Sequence, residues 1–253
     1  MKKTALREIA SYCDRLLRVR QIEDYEGALN GLQVENAGTV RRIAAAVDAS
    51  VATLKLAAQS GADLLLAHHG LFWSPRQPWT GRHYKLLRFL LEKNLAVYSA
   101  HLPLDLHPTL GNNAQLAAAL GLKSLIPFFR WHDQYIGVQT KTKISRDEMA
   151  QRLQGVIGLA PRLIPGGPVL CRRIGIVTGG GGSELKTAAE EGVDTFITGE
   201  GPHWSFALAE ELGLNVLYGG HYATETFGVK ALAEHLSRKF QVPWEFVDYP
   251  TGL

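Results

Sequence analysis

The feature that most constrains the fold of this chain is an internal repeat. Sliding the sequence by 131 positions places Arg41–Trp73 on Arg172–Trp204 without a gap, and 11 of the 33 paired positions are identical. Composition alone would produce roughly two identities over that length, so a duplication is the better explanation. The identical residues of the first copy are Arg41, Arg42, Ile43, Leu54, Lys55, Ala57, Ala58, Gly61, Asp63, Gly70 and Trp73.

The repeat continues past a loop that is 11 residues longer in the first copy. An offset of 120 then aligns three pairs, which are Tyr98 with Tyr218, His101 with His221, and Asp105 with Glu225. Each copy therefore carries a histidine and a carboxylate four residues apart. Only the first copy has two adjacent histidines, His68 and His69, where the second has Gly199 and Glu200.

Apolar segments of strand length alternate with segments of helical periodicity along the chain. This alternation predicts an α/β fold with largely parallel strands. We expect two related α/β lobes, one formed by residues 1–125 plus 215–253 and the other by residues 126–214, with the repeats spanning 41–105 and 172–225. A metal site is expected in the cleft between the lobes, because sites in such folds lie at the carboxyl ends of the strands.

The individual elements follow from periodicity, caps and turn residues. The predicted strands are Arg41–Asp48, Asp63–Ala67, Leu95–Ala100, an exposed Tyr135–Lys143, Arg172–Val177, Thr195–Thr198, Asn215–Tyr218 and Trp244–Tyr249. The predicted helices are residues 4–19 with Thr4 as a cap, Val51–Gln59, Tyr84–Lys93, Asn112–Leu120, a helix capped by Ser145, Glu184–Glu191, Ser205–Leu212 and Thr224–Phe240. The predicted loops are Ser74–Arg82 and Pro161–Pro168.

The composition argues against several classes of protein. A hydrophobic fraction of 46% and a charged fraction of 20% are typical of globular proteins, and a net charge of +3 is too small to indicate a nucleic-acid or membrane surface. No apolar run approaches the roughly 18 residues of a membrane helix. The two cysteines, Cys13 and Cys171, form no disulfide framework. We expect a cytoplasmic protein that binds neither membrane nor nucleic acid.

Six side chains of metal-binding type occur in and after the repeat. They are His68, His69, His101, Asp105, His221 and Glu225. The alternative is a set of hydrogen-bonded groups in a polar core, which is the commoner role of a single histidine, but the repeated pattern favours ligands. Imidazole and carboxylate ligands together suit zinc, manganese, iron or nickel without choosing among them. Because three protein ligands suffice for one catalytic zinc, six predict two divalent ions.

Two local features bear on whether these side chains can converge. Neighbouring side chains of a regular strand point to opposite faces, so His68 and His69 meet one ion only if the backbone turns, as Gly70 permits. Pro103 lies between His101 and Asp105 and indicates a loop there rather than a helix.

A glycine-rich turn, Val177–Ser183, follows one predicted strand and precedes a helix. Such a turn can present backbone N–H groups to an anion, which makes Gly180, Gly181 and Ser183 candidate substrate-binding residues. The turn matches neither the dinucleotide fingerprint nor a Walker loop, and a plain strand–helix connection is the alternative. Glu200 is a candidate general acid or base beside the metals, with a structural or solvated glutamate as its alternative.

Six segments together resemble one known family. They are NGLQVE at Asn30–Glu35, LLLAHHGLFW at Leu64–Trp73, YSAHLPLD at Tyr98–Asp105, GNNAQLA at Gly111–Ala117, DTFITGE at Asp194–Glu200 and GHYATE at Gly220–Glu225. From about residue 5 to residue 250 the chain resembles the GTP cyclohydrolase I type 2 family, also called Ngg-one-interacting-factor-three-like, in its short bacterial form. The third motif reads AHLPLD where many members have AHTNLD, so the pocket beside Asp105 is where this chain is expected to differ.

The resemblance implies a fold, a site and an activity. The family's metal positions fall on His68, His69, Asp105, His221 and Glu225, with His101 close by. The resemblance also implies a two-lobed fold, a two-metal centre, a toroidal homohexamer and the ring-opening hydrolysis of GTP or of a related nucleotide or phosphorylated heterocycle. Two alternatives stay open, namely a non-enzymatic metal-binding or protein-interaction scaffold and a hydrolase of damaged nucleotides.

Overall fold

A computed structural model describes residues 3–73 and 78–252 of the chain. The described residues form two compact units, each built on its own large β-sheet. The first unit runs to Leu104 and resumes over Gly228–Tyr249, and the second comprises Asp105–Phe227 and the residues after Tyr249. The fold is therefore a mixed α/β fold with two main sheets.

Five strands form the sheet of the first unit. They are β2 (Gly31–Val34), β4 (Ile43–Asp48), β5 (Leu64–His69), β6 (Ala96–Ser99) and β13 (Trp244–Phe246), in the order β13-β4-β5-β6-β2. The strands from β13 to β6 are parallel, whereas β2 is antiparallel at the edge, and β1 (Thr4–Ala5) pairs separately with β3 (Thr39–Val40). The helices of this part of the chain are α1 (Leu6–Leu16), α2 (Val51–Gln59), α3 (Gly81–Lys93), α4 (Leu102–Asp105) and α10 (Thr226–Phe240).

Six strands form the sheet of the second unit. They are β7 (Ile126–Trp131), β8 (Gln134–Ser145), β9 (Arg162–Pro165), β10 (Leu170–Ile176), β11 (Thr195–Thr198) and β12 (Asn215–Tyr218), in the order β7-β8-β10-β11-β12-β9. The three strands β10, β11 and β12 are parallel, and the strands on either side of them are antiparallel. The helices are α5 (Asn112–Ala119), α6 (Arg146–Ile157), α7 (Leu185–Glu190), α8 (Ser205–Glu211) and α9 (His221–Thr224), with a 3-10 turn at Gly181–Ser183.

The two copies of the repeat pair their first two strands in the same register. Ile43 of β4 lies opposite Leu64 of β5, and Ile174 of β10 lies opposite Thr195 of β11, which is the same pairing after the shift of 131 residues. One carboxylate then makes equivalent contacts in each copy. Asp63 accepts hydrogen bonds from the backbone N–H groups of Arg41 (2.7 Å) and Arg42 (3.2 Å), and Asp194 accepts them from those of Arg172 (2.8 Å) and Arg173 (3.1 Å). These matching details support the predicted duplication.

The third strand of the repeat pairs one residue away from the alignment expected from the sequence. Two equivalent backbone hydrogen bonds set the correspondence, from Ala96 to Asp63 (2.9 Å) and from Asn215 to Asp194 (3.0 Å). These bonds give an offset of 119 rather than 120 at this strand, so Tyr98 corresponds to Leu217 and not to Tyr218. The second copy therefore has one additional residue before His221.

The sheets are mixed rather than largely parallel, because antiparallel strands lie beside the parallel ones in both units. The predicted loop Pro161–Pro168 contains β9, which pairs antiparallel with β12. The strand predicted to be exposed, Tyr135–Lys143, lies within β8 between two other strands, and its residues Ile136 and Thr140 are buried. Strand β7 was not predicted. Prolines and lysines in these segments hid the apolar alternation of antiparallel strands.

Shorter corrections concern the helix ends and one loop. Thr4 belongs to β1 and makes no capping hydrogen bond, since α1 begins after Ala5. Pro103 lies inside the four-residue helix α4, where the first turn of a helix tolerates proline. The predicted cap Ser145 is confirmed, because its hydroxyl accepts a hydrogen bond from the backbone of Glu148. Within the predicted loop Ser74–Arg82, positions 74–77 lie outside the described residues.

The boundaries of the units differ from the lobes inferred from the sequence, which were 1–125 plus 215–253 and 126–214. In the structure the changes between units fall after Leu104 and after Phe227. The reason is packing, because Leu116 and Ala117 of α5 belong to the core of the second unit. Strand β12 likewise pairs with β11 and β9 of that unit.

Candidate metal centre

Three histidines cluster at the carboxyl ends of neighbouring parallel strands in the first unit. Strand β5 ends in His68 and His69, and His101 follows the adjacent strand β6. The ring centroids are 4.8 Å apart for His68 and His69, 4.9 Å for His68 and His101, and 5.6 Å for His69 and His101. One nitrogen from each ring lies within 4.8 Å of the other two, a spacing that allows the three to bind one metal ion. We call these three residues the histidine cluster.

Gly70 directly follows β5 and lies against the side chains of Gln33 and Ser99. A side chain at this position would overlap the amide of Gln33 and the hydroxyl of Ser99. That amide links two loops, because its nitrogen donates to the Leu29 carbonyl (2.6 Å) and its oxygen accepts from the Leu71 backbone (2.7 Å). The absence of a side chain at Gly70 therefore permits the close packing next to the paired histidines.

Each imidazole of the histidine cluster is held through Nδ1 by an oxygen atom. Nδ1 lies 2.9 Å from the Ala100 carbonyl oxygen in His68, 2.9 Å from Asp48 Oδ1 in His69, and 2.8 Å from Asp24 Oδ1 in His101. A carbonyl or carboxylate oxygen can only accept, so in a neutral ring Nδ1 carries the proton and Nε2 carries the lone pair. Metal-binding histidines have this arrangement, in which the second ring nitrogen donates to a carboxylate or a backbone carbonyl.

Aromatic side chains border the histidine cluster. The Trp73 ring meets His101 edge-on with centroids 4.7 Å apart, and its centroid lies 5.2 Å from that of His69. Tyr25 approaches His101 with centroids 5.7 Å apart. A small open cleft lies beside His101 and is lined in part by Trp73, Phe72 and Gln33. Trp73 thus covers one side of two of the three imidazoles.

A second group of potential ligands lies in the second unit at the short helix α9. His221 Nδ1 lies 2.8 Å from Glu200 Oε1, and His221 Nε2 lies 3.1 Å from Glu225 Oε2. His221 and Glu225 are four residues apart, so they face the same side of a helical turn. The Glu225 side chain is 3% exposed whereas that of Glu200 is 49% exposed. We call His221, Glu225 and Glu200 the imidazole–carboxylate cluster.

The glycine-rich turn packs directly against this cluster. Gly179 has a φ of 72°, and a side chain there would overlap the Glu225 carboxylate and lie 3.3 Å from His221 Nε2. The Gly179 N–H donates to the hydroxyl of Thr224 (3.1 Å), which holds the turn against α9. Glycine is therefore required at this position for both its conformation and its small size.

Two carboxylates determine the protonation of His221. Burial alone would lower the pKa of His221, but the hydrogen bond and negative charge of Glu225, and then those of Glu200, raise the pKa to about 9. His221 is therefore an imidazolium at neutral pH in the metal-free chain. A cation that binds Nε2 must displace this proton.

Asp105 is buried in the second unit and held by amides of the next helix. Its Oδ1 accepts from Asn112 Nδ2 at 2.8 Å, and its backbone oxygen accepts from Asn113 Nδ2 at 3.2 Å. The Asn113 side chain also accepts from the backbone of Thr178 at 2.9 Å. Helix α5 thus links Asp105 to the glycine-rich turn.

With this geometry established, comparison with known proteins identifies the family. The sequence model of the family Duf34/NIF3 (NGG1p interacting factor 3) matches residues 4–251. The chain belongs to the NIF3 family.

Relatives of this NIF3-family chain are similar over nearly their whole length. It is 43% identical over 248 residues to a GTP cyclohydrolase 1 type 2 homolog of Deinococcus radiodurans, covering 97% of this chain and 94% of the relative. It is 38% identical to a GTP cyclohydrolase 1 type 2 homolog of Haemophilus influenzae, covering 95% of this chain and 96% of the relative. The crystal structure of TTHA1606 from Thermus thermophilus superposes with a TM-score of 0.90 at 41% identity, covering 99% of this chain and 100% of that one.

In this NIF3-family chain, predicted ligands lie close together in two groups, one within each unit. His68, His69 and His101 lie together in the first unit, and His221 and Glu225 lie together in the second. The first group offers three imidazoles and the second an imidazole and a carboxylate, so the donor types fit a divalent cation. That ligands from both units belong to one centre stays a prediction.

The other predicted site residues have contacts of their own. The Gly181 N–H donates to the hydroxyl of Thr198 at 3.0 Å, so this amide is already used within the turn. Gly180 and Ser183 are exposed, and their role in binding a substrate, like that of Gly181, stays a prediction. Glu200, predicted as an acid or base, is the hydrogen-bond partner of His221.

Three polar residues that contact the candidate ligands were missed in the sequence. They are Asp24, Asp48 and Asn112. Asp48 carried a usable signal, because it ends the strand that is parallel to β5 in the repeat. Asp24 carried none, since it lies in a loop 77 residues before His101.

Among the helices of the described residues, none is both long and apolar enough to cross a membrane.

Proposed function

We propose that this chain is a metal-dependent hydrolase of the GTP cyclohydrolase I type 2 kind that acts on a nucleotide or a related phosphorylated heterocycle. The observation that carries the proposal is the histidine cluster, in which three imidazoles are fixed through Nδ1 and one nitrogen of each ring lies within 4.8 Å of the other two. The names of the relatives from Deinococcus radiodurans and Haemophilus influenzae support the choice of reaction class.

The proposed cofactor is a pair of divalent cations of zinc, manganese, iron or nickel. Their proposed ligands are His68, His69, His101, Asp105, His221 and Glu225. When bound, such cations supply Lewis acidity toward an electrophilic carbon of the substrate. The contacts of Nδ1 in the histidine cluster keep the imidazoles in place, so the ligand atoms need little rearrangement on binding.

Glu200 is the proposed acid or base of the reaction. Its carboxylate is about half exposed and bonds His221 Nδ1, so it can exchange protons both with solvent and with the imidazole. The same contact orients His221, which makes orientation of this ring a second role for Glu200. A Glu200→Gln variant separates the roles, because the amide oxygen still accepts from Nδ1 but cannot take up a proton.

The test is a turnover assay of metal-loaded protein against a panel of nucleotides that includes GTP and oxidised or deaminated forms. His68→Ala and Glu225→Ala are the site variants, and Glu35→Ala, which removes an exposed ion pair with Arg7, is the matched control. We expect turnover that both site variants abolish and the control retains. Turnover that survives both site variants would contradict the proposal.

One observation favours a non-enzymatic scaffold as the second candidate. The cleft beside the histidine cluster is open and encloses almost no volume of its own, whereas pockets that enclose small ligands are roughly 300–1,000 Å³. Metal binding without turnover of any member of the panel would support the scaffold. Preferential turnover of oxidised or deaminated nucleotides would instead assign the chain to hydrolysis of damaged nucleotides.

A further inference from the structure

Asp24 is a buried carboxylate that is saturated with hydrogen-bond donors. Its side chain is 6% exposed. Oδ1 accepts from His101 Nδ1 (2.8 Å) and from the backbone of Tyr25 (2.7 Å), and Oδ2 accepts from Asn30 Nδ2 (2.7 Å) and from the backbone of Leu102 (3.1 Å). A buried carboxylate is stable only when such donors replace its hydration. All four donors come from two short segments, the loop over residues 24–30 and the turn after β6.

The same loop also holds the backbone of His101. Asn30 Oδ1 accepts a hydrogen bond from the His101 N–H at 2.7 Å, while Asn30 Nδ2 donates to Asp24. Asp24 and Asn30 therefore fix both the main chain and the ring of His101.

The contacts of Asp24 differ from those of the other carboxylate in the first unit that bonds an imidazole of the cluster. Asp48 accepts from His69 Nδ1, but its side chain is 34% exposed and therefore shares its position with solvent. Asp24 is fixed by four donors at once, so its Oδ1 has little freedom to move away from His101. A charged acceptor at 2.8 Å favours the tautomer of His101 that carries its proton on Nδ1.

We propose that Asp24 is a positioning residue that fixes the Nδ1–H tautomer and the orientation of His101, so that Nε2 of this ring joins those of His68 and His69 in binding a divalent cation. The cation in this statement rests on the proposed function. The tautomer does not, because it is a property of the metal-free chain. A purely structural role would instead require Asp24 only to connect its loop to the turn at Leu102.

The test compares Asp24→Asn with the wild-type chain. Asparagine has the same shape, but its amide has one acceptor and cannot satisfy four donors. The matched control is Asp14→Asn, because Asp14 accepts a hydrogen bond from the buried Tyr98 hydroxyl at 2.9 Å in the same unit, a contact that involves no histidine of the cluster. Two readouts apply, which are the tautomer of His101 from imidazole nitrogen NMR of metal-free protein and the zinc Kd from competition with a chelator.

We expect the wild type to show His101 protonated on Nδ1, and Asp24→Asn to shift His101 toward the Nε2–H tautomer. The zinc Kd should rise by about 10- to 100-fold in Asp24→Asn, the range seen when a partner of a metal-binding histidine is removed, and should stay within about twofold in Asp14→Asn. A lower Tm of metal-free Asp24→Asn with an unchanged tautomer and unchanged Kd would overturn the proposal in favour of a structural role.

The wild-type measurement alone can also overturn the proposal, which matters if Asp24→Asn does not fold. A wild-type His101 that carries its proton on Nε2 contradicts the positioning role without any variant. Failure of the proposed function has a different signature. If the wild type binds no zinc, but His101 holds the Nδ1–H tautomer only when Asp24 is present, the metal function fails and the role of Asp24 in setting the tautomer stands.

Discussion

Hydrogen bonds to Nδ1 decide what four histidines of this chain can do. In three of them, His69, His101 and His221, the partner is a carboxylate 2.8 to 2.9 Å away, and in His68 it is a backbone carbonyl. Each contact favours a proton on Nδ1, so Nε2 is the nitrogen through which a cation would bind. The residue types of the site were predictable from the sequence, whereas Asp24, which contacts His101, lies in a loop 77 residues earlier and gave no signal.

The affinity for zinc should depend on pH through His221. Its pKa of about 9 in the metal-free chain lies above neutral pH, so the ring is protonated at pH 7 and the bound cation must displace that proton. We expect release of about one proton by His221 on zinc binding at pH 7, and an apparent affinity that rises as the pH approaches 9. Calorimetry in buffers with different ionisation enthalpies measures this release. His221→Ala should lose it, and a proton release in that variant equal to the wild type would contradict the assignment.

Gly179 should be intolerant of alanine for a reason specific to the site. The substitution places a methyl group against the Glu225 carboxylate, and the positive φ adds about 1 kcal/mol of strain. Gly213→Ala is the matched control, because Gly213 has a φ of 64° and nothing within 4 Å of an added methyl group. Thermal unfolding should show a loss for both variants. Only Gly179→Ala should weaken zinc binding, and equal zinc binding by the two variants would refute the contact.

At the scale of elements, parallel strands were predictable and antiparallel edge strands were not. Thr195–Thr198 and Asn215–Tyr218 have the bounds that the sequence predicted, because parallel strands covered on both faces are continuous apolar runs. The antiparallel strands β7 and β9 at the edges of the second sheet contain prolines or charged residues, so tertiary pairing rather than local pattern makes them strands. The carboxyl ends of β5 and β6 carry the histidine cluster, and these were correctly placed.

Asp63 should stabilise the start of the first repeat. Its carboxylate accepts from the backbone of Arg41 and Arg42, so Asp63→Ala leaves two N–H groups without this acceptor. We expect a loss of about 2 kcal/mol in the free energy of unfolding, measured by urea denaturation. Glu35→Ala, which removes an exposed ion pair with Arg7, should cost at most about 0.5 kcal/mol. Losses of the same size in both variants would argue against the role of Asp63.

At the scale of the whole molecule, the repeat explains why both units can hold ligands after equivalent strands. The same register and the same aspartate contact recur in the two copies, and each copy continues into a short helix, α4 or α9, that carries or begins with a candidate ligand. The second copy lacks the paired histidines and has Glu200 in place of one of them. Duplication followed by divergence of these few positions accounts for two different clusters on one plan.

Assembly is a separate prediction at this scale. From the resemblance to the family we propose that the chain forms a homohexamer. Light scattering coupled to size-exclusion chromatography should then give a mass six times that of the chain. A monomer mass at micromolar concentration, with and without zinc, would contradict the proposal.

The central claim is that the histidine cluster and the imidazole–carboxylate cluster bind divalent cations, and crystallography of zinc-loaded protein tests it most directly. Data collected on both sides of the zinc absorption edge locate the ions. The claim predicts anomalous peaks about 2.0–2.1 Å from Nε2 of the histidines in the cluster and from Nε2 of His221. Fully loaded crystals with no peak at either cluster, or with peaks only at surface histidines such as His132, would contradict it.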